Sequence, residues 1–506
     1  MKTRIYLSLI CGLVFGFTSC VTDLNPEPAT SVSDAEMFSS LDYAETVLNG
    51  AHALAGEYTN HTLAFIMADL MGEDALCTTG NRGFSTYNWQ MYSYMYEQIA
   101  TTAAGWWAGY SNYIWKYQYA ALDSVNSIIT YCPENLPESD DLTELLAQSR
   151  GLRGYLFLQL TRLFAPAYNY SPDAQAIVLR TTPADATAEH LGRCTVAEAY
   201  AQIIDDLTYA VENITNTSKD YMTSKGCALL LARAYLDMSD YTNAAKYADI
   251  AASSTYDGSN LMSQEQYRAG FLVTGTYDET LWYQNYTSTT SNIYASIPSF
   301  YYLAKEDTAI TYGEKSDITK YTAGSDDYVD ELQGYSTLRF SFDFVSKFEA
   351  TDCRMLFPFY FYEDDGYFTA KLAHDMDSGT LGVCQFPMAR IAEAYLIKAE
   401  CELLGSGDAT AAAATLNALQ TTRGATATEA TAETIDLERR KELYCEGHRL
   451  YDIKRQGLEL NRVGDEHWAS VTYLPANSNR FMLPIPENEI NYNDAISQSD
   501  QNEYWR

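Results

Sequence analysis

The chain has 506 residues, with 67 acidic against 33 basic side chains, a net charge of −34 and a hydrophobic content of 47%. That content suffices for a packed core, and the length allows two or three domains without requiring them. So acidic a surface repels phosphate backbones, which excludes nucleic acid as a partner, and it is poorly suited to lying on anionic lipid.

The first predicted element is an export signal over residues 1–19. Lys2 and Arg4 precede an apolar run from Ile5 to Phe17, too short to span a bilayer and of signal-peptide length. Thr18 and Ser19 then lead into Cys20, the pattern of a lipoprotein processing site. Cleavage there is followed by acylation of the cysteine sulfur and of the new amino group with fatty acids such as palmitate. Several acyl chains hold a protein on a membrane stably, where a single chain exchanges. Cleavage also removes both basic residues and takes the net charge from −34 to −36, so the anchor must do the tethering. Residues 20–33, polar and carrying Pro26 and Pro28, read as a tether. Residues 34–506 read as a single domain.

Within that body, helical periodicity predicts Ala44–Ala55, Ala108–Tyr131, Glu144–Phe164, Ala197–Asn213 and Thr434–Gly447. Trp106, Trp107 and Trp115 recur at a helical period and read as packing residues. Two further stretches read as helix pairs. In Ser224–Ser253, Leu231, Ala232 and Tyr235 share one face, Ala244 and Ala251 sit on the next helix, and Tyr241 lies at the turn. Small residues at those positions let antiparallel helices approach closely, the tetratricopeptide arrangement. The spacing Ala232–Ala244–Ala251 returns as Ala399–Ala411–Ala418 within Arg390–Arg423.

Residues 261–386 read differently, being rich in Tyr, Thr, Asp and Gly with strand-like pieces at Thr337–Phe344 and Pro358–Tyr362. A long irregular insertion in a helical scaffold usually carries recognition. The predicted class is therefore mostly α, a tetratricopeptide-like helix-pair scaffold with a long loop-rich insertion containing short strands.

Little in the chain suggests catalysis. There is no GxSxG, no HExxH, no phosphate-cradling glycine loop, and the six histidines do not gather around a nucleophile. Acidic neighbours such as Asp205-Asp206, Asp326-Asp327 and Asp364-Asp365 are what abundance alone would produce. Asp364-Asp365-Gly366 suits a calcium turn, without a visible full ligand set. Of ten cysteines, Cys227, Cys401 and Cys445 lie in apolar helical text and read as buried thiols. No cofactor or metal is expected. Charged residues recurring every three or four positions in Glu438–Gly457 place opposite charges within reach on one helix. Glu446, Arg449 and Asp452 are expected to form a partly buried structural ion-pair network there. Pro484-Ile485-Pro486 is an extended segment expected to pack back onto the body.

Six stretches together resemble the SusD/RagB family of nutrient-binding outer-membrane lipoproteins: the lipoprotein start with Asp23 nearby, Ser149–Tyr168, Thr195–Ile214 with Asp206-Leu207, Arg390–Glu400, Glu438–Gly457 and Phe481–Asn493. The resemblance implies a SusD-like α/α superhelix, anchored by lipid in the outer membrane and facing the cell exterior. It implies a partner, a SusC-like TonB-dependent transporter, and a non-catalytic role: capture of a glycan or other nutrient oligomer and its delivery to that transporter.

A sugar site needs flat apolar faces flanked by carboxylate, amide or guanidinium groups. Gly72–Tyr94 supplies Tyr87 and Trp89 as platforms, with Asp74, Asn81, Arg82 and Asn88 beside them, on text whose Gly80 and Gly83 suggest an exposed loop. The family resemblance points to this early loop as well. Tyr286, Asn292, Tyr294 and Tyr301 form a second candidate group expected to be exposed, with Trp282 in the core. Two other readings stay open: a helical-repeat interaction lipoprotein without a small ligand, and a surface glycosidase using paired carboxylates.

Overall fold

Capping side chains set where most of the long helices begin. In the computed structural model of the protein, the described residues are 37–77, 88, 91–94, 110–185, 187–269, 271, 274–287, 289–290, 296–301, 316–317, 337–357, 359–361, 366–369, 371–372, 383–464, 466–467 and 471–505. The export signal, Cys20, the tether, Trp106 and Trp107 lie outside them. Helices α1 (Leu41–Ala55), α2 (Tyr58–Leu70), α3 (Tyr110–Asn135) and α4 (Asp140–Phe164) come first, interrupted by the short strand β1 (Ala75–Cys77). Helix α4 starts on the Ser139 hydroxyl, which accepts from the Leu142 amide, and α5 (Val196–Asn213) on a capping box between Thr195 and Glu198. These two pack closely because α4 carries glycine where α5 crosses it. A Cβ on Gly154 would sit 2.8 Å from Leu207 Cγ. Asp206, fully buried on α5, is the counter-ion of Arg153, whose Nε donates at 2.8 Å.

The first expected helix pair is present as α6 (Ser224–Asp237) and α7 (Tyr241–Ala251). Ala232, Ala244 and Ala251 are each 0% exposed, so the alanine spacing does report the helix contact. The second pair differs in phase. Helix α11 (Ile391–Glu400) runs into a π turn over Cys401–Gly405 before α12 (Ala409–Thr422). On α12 the buried residues are Ala412, Thr415, Leu416, Leu419 and Gln420, with Ala411 and Ala418 half-buried. Leu416 and Leu419 are the large apolar side chains of that helix, and burying them turns Ala412 inward in place of Ala411.

Between the pairs lie α8 (Gln264–Arg268), β2 (Thr280–Tyr286), α9 (Ile297–Tyr301), β3 (Ser316–Asp317), β4 (Leu338–Phe340), α10 (Phe342–Ser346), β5 (Phe359–Phe361), β6 (Gly366–Phe368) and β7 (Cys384–Arg390). Strands β2 and β7 pair antiparallel from Thr280↔Arg390 to Tyr286↔Cys384, so the insertion leaves and re-enters the scaffold through one ladder. Trp282 is 2% exposed on β2, in the core as expected. The strand expected over Thr337–Phe344 is cut short because the Ser341 hydroxyl caps α10, accepting from the Phe344 amide at 3.1 Å.

The last helices correct the expected ion-pair network. Glu438–Gly457 is not one helix: α13 (Ala432–Leu443) stops, the chain turns over Tyr444–His448, and α14 (Arg449–Gln456) follows. Cys445 and Gly447 adopt φ of 64° and 69° in that turn. A Cβ on Gly447 would meet Phe65 Cα at 2.9 Å, so glycine is required there. With the helix broken, Glu446, Arg449 and Asp452 are all buried but none pairs with another. Glu446 binds Arg390 and Lys371, Arg449 binds Glu73 and Asp436, and Asp452 binds Arg439 and Arg455.

Glu446 belongs instead to a larger buried cluster. In it the carboxylates of Glu279, Asp352, Glu438, Glu442 and Glu446 interleave with the cations of Arg354, Lys371, Arg390, Arg423 and Lys441. The five charges of each sign balance, which is what lets them lie in a protein interior. The C-terminal chain then forms a hairpin of β8 (Leu460–Asn461) and β9 (Tyr473–Leu474) and a short α15 (Glu487–Tyr492). Ile485, between its two prolines, is fully buried, and the Leu483 amide donates to Leu163 O at 2.9 Å.

Candidate functional site

The two regions that the sequence marks for recognition meet on one sheet. Its strand order is β1-β4-β6-β5-β3. Strand β1 comes from the early segment and the other four come from the insertion. Ala75, Leu76 and Cys77 lie opposite Phe340, Arg339 and Leu338. Asn88 adds a second tie, its Nδ2 donating to Thr337 Oγ1 at 2.7 Å.

Residues 78–87 leave from the end of β1. Asn81, Arg82, Tyr87, Trp89, Asn292 and Tyr294 lie outside the described residues. The other four candidates are not where a ligand would reach them. Asp74 is 6% exposed and chelated by Arg440, whose Nε donates at 2.9 Å. Asn88 is 0% exposed. Tyr286 is 5% exposed on β2, and Tyr301 is 1% exposed. The Tyr301 hydroxyl donates to Asp69 Oδ2 at 2.8 Å while its ring stacks on Phe340 at 5.8 Å. Tyrosine in polar text looks exposed, yet its ring is mostly apolar area and its hydroxyl needs only one buried acceptor.

These residues form the mount of the early loop. Where the chain leaves α2, Glu73 and Asp74 face Arg449 and Arg440 on the last two long helices. Burial pushes the Glu73 carboxyl up, but Arg449 and Arg440 outweigh it and hold it at about 2. Asp69 has no such cation in contact, and burial pushes it up to about 7. Arg462 completes the mount, donating to the carbonyls of Leu70 at 2.8 Å, Gly72 at 3.1 Å and Tyr92 at 2.6 Å. Its guanidinium also lies 4.0 Å from the Tyr92 ring centroid, and the Tyr92 hydroxyl bonds His467 Nδ1 at 2.6 Å. Nothing in the text around Arg462 announces this, because its partners are backbone carbonyls far upstream. Arg440 was hidden in the same way, because Asp436, the acid four residues before it on its own helix, pairs with Arg449 and leaves Arg440 to the distant Asp74.

The cavity enclosed under β1, lined by Asp69, Asp74, Arg440 and Asp452 among others, measures about 20 Å³. That is room for one water and not for a sugar ring. Among the described residues no group of three His, Cys, Asp or Glu is placed to hold a metal, and no helix is long and apolar enough to cross a membrane. Among the described residues the geometry presents a buried, ion-paired base for the segment that follows β1.

Two family models match the chain: the SusD family over residues 358–505, and a family described as starch-binding and associating with the outer membrane over residues 41–236. The chain belongs to the SusD family. Solved structures agree in fold. A SusD-like carbohydrate-binding protein from Bacteroides vulgatus aligns with a TM-score of 0.73 at 24% identity, covering 92% of this chain and 98% of that one. A SusD superfamily protein from Bacteroides thetaiotaomicron gives 0.73 at 24%, covering 92% and 99%. A laminarin-binding SusD-like protein gives 0.67 at 19%, covering 91% and 99%. No curated protein matches. The matched stretches of this SusD-family chain hold α1–α6 and the helices from α11 onward, the two halves that the buried ion pairs join. The stretch between them, 237–357, contains most of the insertion.

Proposed function

We propose that this SusD-family chain is a non-catalytic binding lipoprotein of the outer-membrane surface that captures a glycan and delivers it to a SusC-type TonB-dependent transporter. Family membership over both halves of the scaffold is the observation that carries the reading. The starch-binding description of one matching family and the laminarin-binding relative support a glycan as the ligand. Acylated Cys20 is the proposed anchor, residues 34–506 the proposed binding unit, and the loop after β1 the proposed contact surface, with Trp89, Tyr87, Asn81 and Arg82 toward the sugar. Asn292 and Tyr294 are proposed as secondary contacts from the insertion, whose strands share one sheet with β1.

Applied to a glycan array, the full-length chain in detergent should bind at least one oligosaccharide class and hydrolyse none. Calorimetry then tests the contact surface. Trp89→Ala removes ~60–100 Å² of stacked apolar area, worth roughly 1.5–2.5 kcal/mol at ~25 cal/mol per Å², or more than about tenfold in affinity. Silence across the array overturns the glycan reading, and cleavage of a labelled glycan replaces it with an enzyme.

A further inference from the structure

Away from the sheet, the described residues enclose a cleft of about 600 Å³, within the size range of small-molecule sites. It opens where α5 ends, α6 begins and α7 ends. Its floor is apolar: Ile214, Ala252, Leu281 and Ile391 are all buried. Its walls are polar, with Thr215, Asn216 and Thr217 on one side and Ser253, Thr255 and Asn260 on the other.

Charge distinguishes this cleft from the rest of the molecule. The chain holds two acids for every base, yet the lining has Lys219 and Lys225 against the single Asp278. Asp220 and Glu144 lie close by. The Glu144 carboxylate is already occupied by the Thr215 amide and hydroxyl and the Asn216 amide. Lys219 donates to Tyr277 O at 2.8 Å. Burial, opposed by Asp278 and joined by Lys225, draws its amine below the ordinary range. Lys225 is exposed and sits in the first turn of α6, a helix with no acid in that turn. A cation there opposes the helix dipole, and a second lysine nearby adds to the repulsion. Asp278 answers Lys219, which leaves the exposed Lys225 as the cation an entering anion would meet.

Two further features point to an occupant. The hydroxyl of Thr280, on the floor, belongs to a residue 0% exposed and has no hydrogen-bond partner, a state that costs free energy until an oxygen reaches it. At the rim, α7 ends on Ser253 and Ser254 with φ of 53° and 52°. Glycine is the ordinary choice in that conformation, and strained backbone of this kind concentrates at ligand sites.

We infer that this cleft binds an anionic saccharide, a sugar ring whose carboxylate meets Lys225 and the first turn of α6 while its hydroxyls meet the Thr, Ser and Asn walls. The inference rests on the proposed glycan-binding function and adds a second site to it, distinct from the loop after β1. The probe is digalacturonate, with galactobiose as its neutral counterpart, titrated by calorimetry into the full-length chain in detergent. Digalacturonate should bind, more weakly at high salt because Lys225 is exposed, and galactobiose should bind at least about tenfold less well. Lys225→Gln should weaken digalacturonate about tenfold with an unchanged melting temperature, and Thr217→Trp, which fills the rim, should abolish it. No digalacturonate binding by a chain that binds neutral glycans on the array overturns this inference and leaves the proposed function standing. Digalacturonate binding that survives both Lys225→Gln and Thr217→Trp overturns it equally. Silence of the chain toward every glycan overturns both.

Discussion

Glu442 offers the sharpest test of the buried charge cluster. Its side chain is 0% exposed and pairs with Arg354, Arg390 and Arg423. Replacing it leaves four carboxylates facing five cations. Arg354 keeps Asp352 and Glu438, and Arg390 keeps Glu279 and Glu446, but Arg423 keeps only Glu279. One positive charge is then stranded in the interior, at a cost of about 3–5 kcal/mol. Glu442→Gln, which retains an acceptor oxygen, should fall near the lower end, and Glu442→Leu near the upper. Against a typical total of about 5–15 kcal/mol, either is a large fraction of the stability. Urea unfolding followed by tryptophan fluorescence reads it as a lower midpoint at unchanged slope. A loss under about 1 kcal/mol for Glu442→Gln would refute the reasoning, because it would mean that solvent reaches the cluster and screens it.

Three other outcomes are expected. Arg449→Ala should lower the unfolding midpoint, since it leaves Glu73 and Asp436 with a lost partner; a normal midpoint with lost glycan binding would instead mark Arg449 as a contact. Asp69 has a folded-state value of about 7 against an ordinary 3.8. Between those pH values the folded state holds a proton that the unfolded chain has released, so its contribution to stability falls as pH rises from about 4 to 7. Asp69→Asn should remove that part of the slope, and identical pH profiles for the two proteins would contradict the assignment. Cys20→Ala should leave a folded protein that no longer sediments with membranes in cells lacking the transporter, and retention there would discard the anchor.

Helices with local signals were legible in the sequence: the periodicity over Ala197–Asn213, and the alanine contact of α6 with α7, are visible as text. Short-range rules failed where long-range partners decide. The turn at Cys445–Gly447 interrupts a charge pattern that reads as one helix, because Gly447 must pass over Phe65. Strands β2 and β7 lie about a hundred residues apart in sequence, and neither alternates strongly enough to announce itself. Asp74 and Tyr301 read as exposed because Arg440 and Asp69, which bury them, are distant in the chain. The role of the early loop and the insertion in forming one structure became legible only through the sheet that joins them.

That sheet's mount fixes an order of events in biosynthesis. Asp74 and Arg440 are 366 positions apart, and at about 5–20 residues per second a ribosome needs roughly 20–70 s to make the interval. Throughout that time Glu73 and Asp74 have no cation to accompany them inward, and the carbonyls around Gly72 wait for Arg462. Burial of the loop base before then would strand two carboxylates, a cost that Arg440 and Arg449 remove once they arrive. Native closure of this region therefore waits on the last helices of the chain.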